Sequence, residues 1–182
     1  MQKNKKIAKI LLDIGCVNIN FRKPFTLTSG KLSPVYVDCR KLISFPKERE
    51  IIINEMTKQI QLKYKKNIYV AGGETAGIPY AALISQKIQQ PMIYIRKQPK
   101  GFGKGKLIEG EFKKNTTSVL IEDMATDAGS KLHFVKSLRA NKLIIKDIFV
   151  AFFYGVYKNA DLNLKKMNVN LNYLATWHDI VS

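Results

Sequence analysis

Apolar residues recur along the chain in two arrangements, one typical of helices and the other typical of buried strands. The apolar residues of 7–14 fall at helical spacing and are followed by Gly15, which predicts an amphipathic opening helix. A second helix is predicted from Lys47 to about Leu62, because Pro46 favours a helix start. Short apolar runs, which are typical of buried strands, occur at 68–71, 92–96, 119–121 and 143–154.

These apolar runs predict an α/β fold with a mostly parallel central sheet flanked by helices. Strand-led units begin at Ile68, Met92 and Val119, and a further strand is centred near Ile148. The run that contains Ile148 is predicted to divide into a short strand entry and a buried central strand. The last stretch, 169–181, alternates like a strand and then breaks.

Length and composition bound the number of domains. With 182 residues and 46% hydrophobic content, the chain can bury one substantial core. We therefore expect a single domain, 1–182, in which 1–45 supplies the opening helix and a small hood. The remainder, 46–182, is expected to form the core, with a flexible loop at 97–110.

The chain is strongly basic, with a formal net charge of +17 and a pI near 9.9. Such a charge is found in nucleic-acid-binding proteins, but here the lysines are spread along the whole chain among many Ile and Asn residues. No arginine-rich stripe or nucleic-acid-binding motif accompanies them. We therefore do not expect nucleic acid as a partner.

Two cysteines and the distribution of apolar residues bear on the cellular compartment. Cys16 and Cys39 lack metal-site spacing and have no His nearby, which indicates reduced structural thiols. No run reaches the roughly 18 apolar residues that a membrane span needs, and the N-terminal pattern is not that of a signal peptide. We expect a cytoplasmic protein with no membrane partner.

The stretch 118–131 carries the strongest chemical signal. Its apolar run ends at Glu122 and Asp123, and the loop 126–130 holds only small, hydroxyl or acidic residues before a helical pattern begins. Ligands bind at the carboxyl ends of parallel strands, and a helix N-terminus offers free N–H groups to a phosphate. The two acids suit ribose hydroxyls or Mg²⁺. The alternative is that they only cap the strand and the helix.

Two further loops have phosphate chemistry. The glycine-rich stretch 72–79 follows a strand, and such a loop lets the backbone approach a diphosphate closely. Four lysines, one arginine and three glycines fall within 96–106, which indicates an exposed basic loop rather than a core element. This loop is either a solvated surface segment or a cover that brings cations to a bound anion.

Four motifs, taken in order, resemble those of a known family. The stretch 118–131 resembles the phosphoribosyl diphosphate (PRPP) signature of type I phosphoribosyltransferases, and 72–79 matches their pyrophosphate loop. The Ser-Gly-x-x-Ser-Pro signature within 25–40 and the Arg-Lys-x-x-Lys-x-x-Gly pattern at 96–103 resemble orotate phosphoribosyltransferases. The resemblance implies the type I phosphoribosyltransferase fold. It also implies transfer of ribose 5-phosphate from PRPP to orotate, a step of pyrimidine biosynthesis.

The resemblance also implies the residues of the site. The catalytic residues would be Lys100, Arg96 and Asp123. PRPP would be bound by Thr75, Ala76, Arg96, Lys97, Lys100, Phe102, Glu122, Asp123, Met124, Ala125, Thr126, Asp127, Ala128, Gly129 and Ser130. Orotate would be bound by Thr28, Tyr36, Val37 and Thr126, with backbone groups of Tyr36 and Val37 reading the edge of the base.

The resemblance further implies a cofactor and an oligomeric state. Mg²⁺ would be carried by PRPP, near Glu122 and Asp123, with no direct protein ligand. The chain would form a homodimer in which the loop around Lys100 reaches the other subunit's site.

The chain departs from the family pattern where the carboxylate of orotate is bound. Gly155 stands where many members carry an arginine, so another cation such as Lys158 meets the carboxylate or the base differs. Asp127 adds a negative charge to the phosphate loop and is expected to point outward or to cap the helix. The alternatives are a transferase for another base and a PRPP-sensing regulator that binds nucleic acid.

The implied role of Lys100 can be tested by substitution. If its ammonium stabilises the charge that develops on departing pyrophosphate, Lys100→Ala lowers kcat far more than it weakens PRPP binding. Steady-state kinetics and equilibrium binding of PRPP measure the two effects separately. Equal losses in kcat and in PRPP affinity would contradict a transition-state role.

Overall fold

The computed structural model describes residues 2–27, 30, 32–99 and 106–182. Three residues that the resemblance places in the site, Thr28, Lys100 and Phe102, lie outside the described residues. The other implied site residues lie within them.

The helices and strands alternate along most of the chain. The helices are α1 (Gln2–Asp13), α2 (Pro46–Lys63), α3 (Gly77–Ile88), α4 (Lys131–Ala140), α5 (Asn159–Met167) and α6 (Trp177–Val181), with a 3-10 helix at Cys39–Ser44. The strands are β1 (Val17–Ile19), β2 (Phe25–Thr26), β3 (Leu32–Ser33), β4 (Val35–Val37), β5 (Ile68–Gly73), β6 (Met92–Ile95), β7 (Ile108–Glu109), β8 (Thr117–Ala125), β9 (Ile144–Phe153) and β10 (Asn170–Thr176). Among the described residues, no helix combines the length and the apolar character needed to cross a bilayer.

The central sheet has six strands in the order β10-β9-β8-β5-β6-β7. Every neighbouring pair is parallel except β6 and β7, which are antiparallel. The predicted α/β fold with a mostly parallel sheet is therefore confirmed. In the N-terminal region, β1 pairs with β4 and β2 pairs with β3, both antiparallel.

Side chains of the central strands fill two cores, one on each face of the sheet. In β8, Val119 and Ile121 belong to the core covered by α1, α2 and α3, whereas Leu120 belongs to the core covered by α4 and α5. This alternation follows from the two-residue period of a strand. Cys16 and Cys39 are free and buried in the first core, and burial raises the pKa of Cys16 to about 11.

Three strand boundaries differ from the sequence-based expectation. Strand β8 was expected to stop at Glu122 but continues to Ala125, because pairing with β9 continues through this segment. Strand β9 is one strand and not two, since it pairs on one side with β8 and on the other with β10. Strand β5 continues through Gly72 and Gly73, so the loop before α3 is only Glu74–Ala76. Interstrand hydrogen bonds, which a local pattern does not reveal, extend each strand.

The strands β1–β4 and the 3-10 helix form the hood, which is tied to the end of β9 and to α3 by two tyrosine hydroxyls. The backbone N–H of Val37 in β4 donates to Tyr154 Oη at 3.0 Å, just beyond the end of β9. The hydroxyl of Tyr80 in α3 donates to the carbonyl oxygen of Cys39 at 2.7 Å. Burial raises the pKa of Tyr154 to about 12, so its hydroxyl stays protonated under ordinary conditions. The position of β4 over the sheet therefore depends on contacts distant in sequence.

Asp147 in β9 is only 4% exposed and accepts hydrogen bonds from the C-terminal end of α2 and from β10. Its partners are Lys63 Nζ at 2.5 Å, Asn172 Nδ2 at 3.0 Å and the hydroxyl of Tyr64. Burial alone would raise the pKa of Asp147, but these hydrogen bonds outweigh it and hold the pKa below its usual value. The ionised carboxylate thus joins α2 to β9 and β10.

We expect Asp147→Asn to lower the free energy of unfolding by about 2–3 kcal/mol at neutral pH, because it removes a buried acceptor of charge-assisted hydrogen bonds. A group whose pKa is depressed in the folded state stabilises above its unfolded pKa, and this contribution is lost as pH falls. The difference between wild type and variant should therefore shrink below about pH 4. Urea titrations across pH measure it.

The matched control is Asp161→Asn, which changes an exposed carboxylate in α5. Asp161→Asn should change the free energy of unfolding by no more than about 1 kcal/mol, and this change should not shrink at acid pH. An Asp147→Asn variant as stable as this control at neutral pH would contradict the assignment.

Candidate active site

A cavity of about 650 Å³ lies where the carboxyl ends of the central strands meet the hood. The hood contributes β4 and the 3-10 helix, and the sheet contributes the end of β8 and the segments that follow β5, β6 and β8. Of the residues predicted from the sequence, those that line it are Tyr36, Val37, Thr75, Ala76, Lys97, Glu122, Asp123, Met124, Thr126 and Ser130. The topology thus brings residues of all four sequence motifs to one cavity.

Close packing fixes the loop between β5 and α3. A Cβ atom added at Gly73 would lie 2.0 Å from Glu122 Oε1, and one added at Gly77 would lie 2.2 Å from the carbonyl oxygen of Ile121. Only glycine therefore fits at both positions. The carboxylate of Glu74, within the loop, accepts the backbone N–H of Lys97 at 2.7 Å. The loop is held from below by β8 and from the side by the segment after β6.

Glu122 forms a buried ion pair that the sequence did not predict. Its Oε2 accepts a hydrogen bond from Lys131 Nζ, and the two side chains are 6% and 7% exposed. Its Oε1 is buried without a hydrogen-bond partner among the described residues. Burial raises the pKa of Glu122, and the Lys131 ammonium opposes this shift. A lysine in the first turn of a helix is electrostatically unfavourable, and this signal could have marked Lys131 in the sequence.

Asp123 offers its carboxylate to the cavity. The residue is 8% exposed, and Oδ1 accepts the backbone N–H of Met124 at 2.8 Å. It makes no ion pair with a described residue, in contrast to Glu122. Burial raises the pKa of Asp123, while Lys131 and Arg40 lower it. A buried carboxylate at this position is suited to accept hydrogen bonds from sugar hydroxyls.

The loop 126–130 is held in shape by Asp127. Its Oδ1 accepts the backbone N–H of Gly129 at 3.0 Å, and its carbonyl oxygen accepts Asn163 Nδ2 at 2.7 Å. Asp127 itself does not line the cavity, whereas Thr126 and Ser130 do. Asp127 therefore forms a turn within the loop and is neither the cap of α4 nor a charge directed into the cavity.

The hood end of the cavity is built around Tyr36. Its ring centre lies 5.6 Å from that of Phe25, and its hydroxyl accepts Arg40 Nη2 at 2.9 Å. Of the backbone groups of Tyr36 and Val37 that are predicted to read the edge of a base, the N–H of Val37 already donates to Tyr154. Arg40, Asp38 and Tyr154 also line the cavity and were not predicted.

The basic loop is only partly described. Lys97 lines the cavity, but the guanidinium of Arg96 lies 3.9 Å from Glu109 Oε1, and Arg96 is not part of the described cavity wall. His133 in α4, another lining residue, contacts the carbonyl oxygen of Arg96 at 3.1 Å. Lys158, expected as a possible cation for the base, is exposed at the start of α5 and does not line the cavity.

The contribution of the Glu122–Lys131 pair to stability can be tested by substitution. Lys131→Met should lower the free energy of unfolding by about 3 kcal/mol, because it leaves a buried carboxylate without its cation. The double variant Glu122→Gln/Lys131→Met should recover most of that loss, since neither charge then remains. Urea unfolding followed by circular dichroism measures both. Lys136→Met, at an exposed position of the same helix, is the control. A double variant no more stable than Lys131→Met would contradict the pairing.

Comparison with known proteins finds curated relatives that share one name. No family model matches it. It is 42% identical to an orotate phosphoribosyltransferase of Ruegeria sp. over 177 residues, which cover 96% of this chain and 78% of the relative. It is 39% identical to one of Allorhizobium ampelinum, over 97% of this chain and 77% of the relative.

Solved structures agree with the sequence relatives. The crystal structure of orotate phosphoribosyltransferase from Aeropyrum pernix matches with a TM-score of 0.82 and 28% identity, over 96% of each chain. The chain therefore has the type I phosphoribosyltransferase fold. The alignments to the curated relatives extend over 96% and 97% of this chain. The chain belongs to the orotate phosphoribosyltransferase family.

Proposed function

We propose that the chain transfers ribose 5-phosphate from PRPP to orotate, which gives orotidine 5-monophosphate and pyrophosphate. As a member of its family, the chain is a glycosyltransferase of the pentosyltransferase class that acts in pyrimidine biosynthesis. The observation that carries the proposal is one cavity lined by Asp123, by Thr126 and Ser130 of the loop 126–130, and by Tyr36. These groups correspond to the sugar, the phosphate and the base of the two substrates.

The sheet end of the cavity would hold PRPP. The loop 126–130 leads into α4. Its backbone N–H groups other than that of Gly129, which donates to Asp127, and the hydroxyls of Thr126 and Ser130 suit the 5-phosphate. Asp123 would accept hydrogen bonds from the ribose hydroxyls. The loop with Thr75 and Ala76 would hold the diphosphate, with Lys97 beside it. Glu122 would act mainly through Lys131, because that ammonium already occupies one of its oxygens.

The hood end of the cavity would hold the base. The ring of Tyr36 supplies a flat apolar surface, and Thr126 lies on the opposite, sheet side of the same cavity. Thr28, outside the described residues, is proposed to complete this part on the basis of the resemblance. Because Tyr154 accepts the N–H of Val37, the role of Val37 would be limited to packing and to its carbonyl oxygen.

The reaction asks little covalent chemistry of the protein. The N1 atom of orotate gives up its proton, which passes to water or to an oxygen of the departing pyrophosphate, and forms a bond to C1 of the ribose. The bond from C1 to the diphosphate oxygen breaks with its electron pair leaving on pyrophosphate. Lys100 and Arg96, supported by Lys97, would stabilise the negative charge that grows on the leaving group. Asp123 would hold the ribose so that C1 faces the base. A closed loop would exclude water from the cationic sugar centre.

Mg²⁺ is part of the proposal. The carboxylates of Glu122 and Asp123 are the oxygen donors that Mg²⁺ prefers, and Glu122 Oε1 is buried without a hydrogen-bond partner among the described residues. Within that part of the chain, no group of three His, Cys, Asp or Glu residues could hold a metal by itself. These residues therefore fit a Mg²⁺ ion carried mainly by the diphosphate, where it would reduce the charge of the leaving group.

The assembly and the compartment complete the proposal. A homodimer, in which the loop around Lys100 reaches the other subunit's site, follows from the family resemblance. The position of Arg96 supports it, since its guanidinium lies near Glu109 and is not part of the described wall of its own cavity. A cytoplasmic location is supported by the two free, buried cysteines.

The proposed reaction is tested with purified protein, PRPP and Mg²⁺, by the loss of ultraviolet absorbance of orotate. Orotate should be consumed, and consumption should stop when PRPP or Mg²⁺ is omitted. Uracil, hypoxanthine and adenine, assayed in parallel, should react much more slowly. Preferential turnover of one of these three bases would support a transferase for another base. Inactivity on all four bases, together with steeply salt-dependent binding to nucleic acid, would support the regulator.

A further inference from the structure

Orotate carries a carboxylate, and this chain has no arginine at position 155, where many members of the family carry one. Gly155 stands at that position with a φ of +68°, and Lys158 does not line the described cavity. A carboxylate desolvated in a cavity without a cation would bind poorly, because charge burial is costly unless the charge is paired. We therefore expect another cation of the cavity to bind the carboxylate of orotate. The argument rests on the proposed function, since it assumes that orotate is the base.

The chemistry of orotate limits where that cation can lie. Its carboxylate is on C6, the ring atom next to N1, and N1 is the atom that bonds to the ribose. The carboxylate therefore points toward the junction between base and sugar. A cation that reads it must lie between the base surface at Tyr36 and the ribose acid Asp123.

Three cations line the described cavity: Arg40, Lys97 and Lys131. Lys131 is buried in its ion pair with Glu122, on the sheet side. Lys97 adjoins the diphosphate loop, because its backbone N–H donates to Glu74. Only Arg40 belongs to the hood, where the base is expected.

Arg40 is held in place by two neighbours. Asp38 Oδ1 accepts its Nε at 2.6 Å, and Asp38 Oδ2 accepts its Nη2 at 2.9 Å. The other N–H of Nη2 donates to the hydroxyl of Tyr36. These bonds use the donors of Nε and Nη2, whereas Nη1 makes no hydrogen bond to any described residue. The guanidinium is thus fixed with two donors unused.

The charge of Arg40 also reaches the ribose acid. Burial raises the pKa of Asp123, and Arg40 is one of the groups that lower it. Arg40 therefore bonds directly to Tyr36 and acts electrostatically on Asp123, which are the two groups that bracket the base–sugar junction. Its side chain remains 56% exposed, so an incoming ligand can reach it.

We propose that Arg40 binds the carboxylate of orotate through Nη1 and so replaces the arginine that position 155 lacks. Asp38 is a positioning residue in this arrangement, because its two oxygens orient the guanidinium toward the base. An arginine fixed in this way gives directional, charge-assisted hydrogen bonds that a flexible lysine gives less well. Arg40 is then a determinant of specificity for bases that carry a carboxylate.

The test compares orotate with uracil, which has the same ring without the carboxylate. Arg40→Met should raise KM for orotate about 10- to 100-fold, the range for loss of hydrogen bonds to a charged group. KM for PRPP should change less than about twofold, which corresponds to less than about 0.5 kcal/mol, because Arg40 belongs to the hood and not to the diphosphate loop. The ratio of kcat/KM for orotate to kcat/KM for uracil should fall by the same factor as orotate binding. Arg40→Lys should give an intermediate loss.

Lys41→Met is the matched control. It removes a cation from the adjacent position of the same 3-10 helix, where Lys41 Nζ donates to the carbonyl oxygen of Gly15 at 2.6 Å. It should leave both KM values and the base ratio unchanged. Thermal unfolding of each variant shows whether it is folded. If Arg40→Met is not folded, the comparison of orotate with uracil is made with Arg40→Lys.

The outcomes separate the inference from the proposed function. Wild-type protein that does not consume orotate would overturn both. Wild-type activity with an unchanged orotate-to-uracil ratio in a folded Arg40 variant would overturn only the inference. A rise confined to KM for PRPP would also overturn it, since Arg40 would then bind the diphosphate.

Discussion

The packing of β5 and α3 against Glu122 in β8 is the constraint on which the rest of the site depends. Glycines at 73 and 77 allow the carboxylate of Glu122 to lie where a side chain would otherwise stand, and Lys131 supplies its counter-charge from α4. This single contact fixes the relative positions of the diphosphate loop, the acids and the phosphate loop. The diphosphate loop at 74–76 consequently faces the same cavity as the acids and the phosphate loop of 122–130, although the two segments are far apart in sequence.

A second set of contacts places the hood over that cavity. Tyr154 accepts the N–H of Val37, and Tyr80 donates to the carbonyl oxygen of Cys39. Both tyrosines belong to the core side of the structure, so β4 is anchored by the sheet and α3 and not only by its pairing with β1. The same contacts determine which backbone groups remain for a ligand, and they remove the N–H of Val37 from that set.

The role of each cation in the site depends on the carboxylate with which it pairs, and not on the net charge of the chain. Although the chain carries a net charge of +17, Lys131 is committed to Glu122, and Arg40 is clamped by Asp38. What distinguishes the two cations is exposure: the first is buried and structural, and the second keeps donors directed to solvent. A cavity that binds a phosphorylated sugar and an anionic base needs both kinds, since one shapes the acids and the other meets the ligand.

The sequence by itself determined which segments form strands and which chemical groups follow each strand. Apolar runs ending in acids, glycines or cations predicted the parallel sheet and the loops that line the cavity. Such features are local, because burial and backbone freedom depend on neighbouring residues. Only the tertiary structure decided the partners. The bond from Val37 to Tyr154 spans 117 residues, and neither it nor the pairing of Glu122 with Lys131 leaves a periodic trace. Partners that are distant in sequence are determined by the distances and orientations between packed helices and strands, which do not exist before the chain has folded.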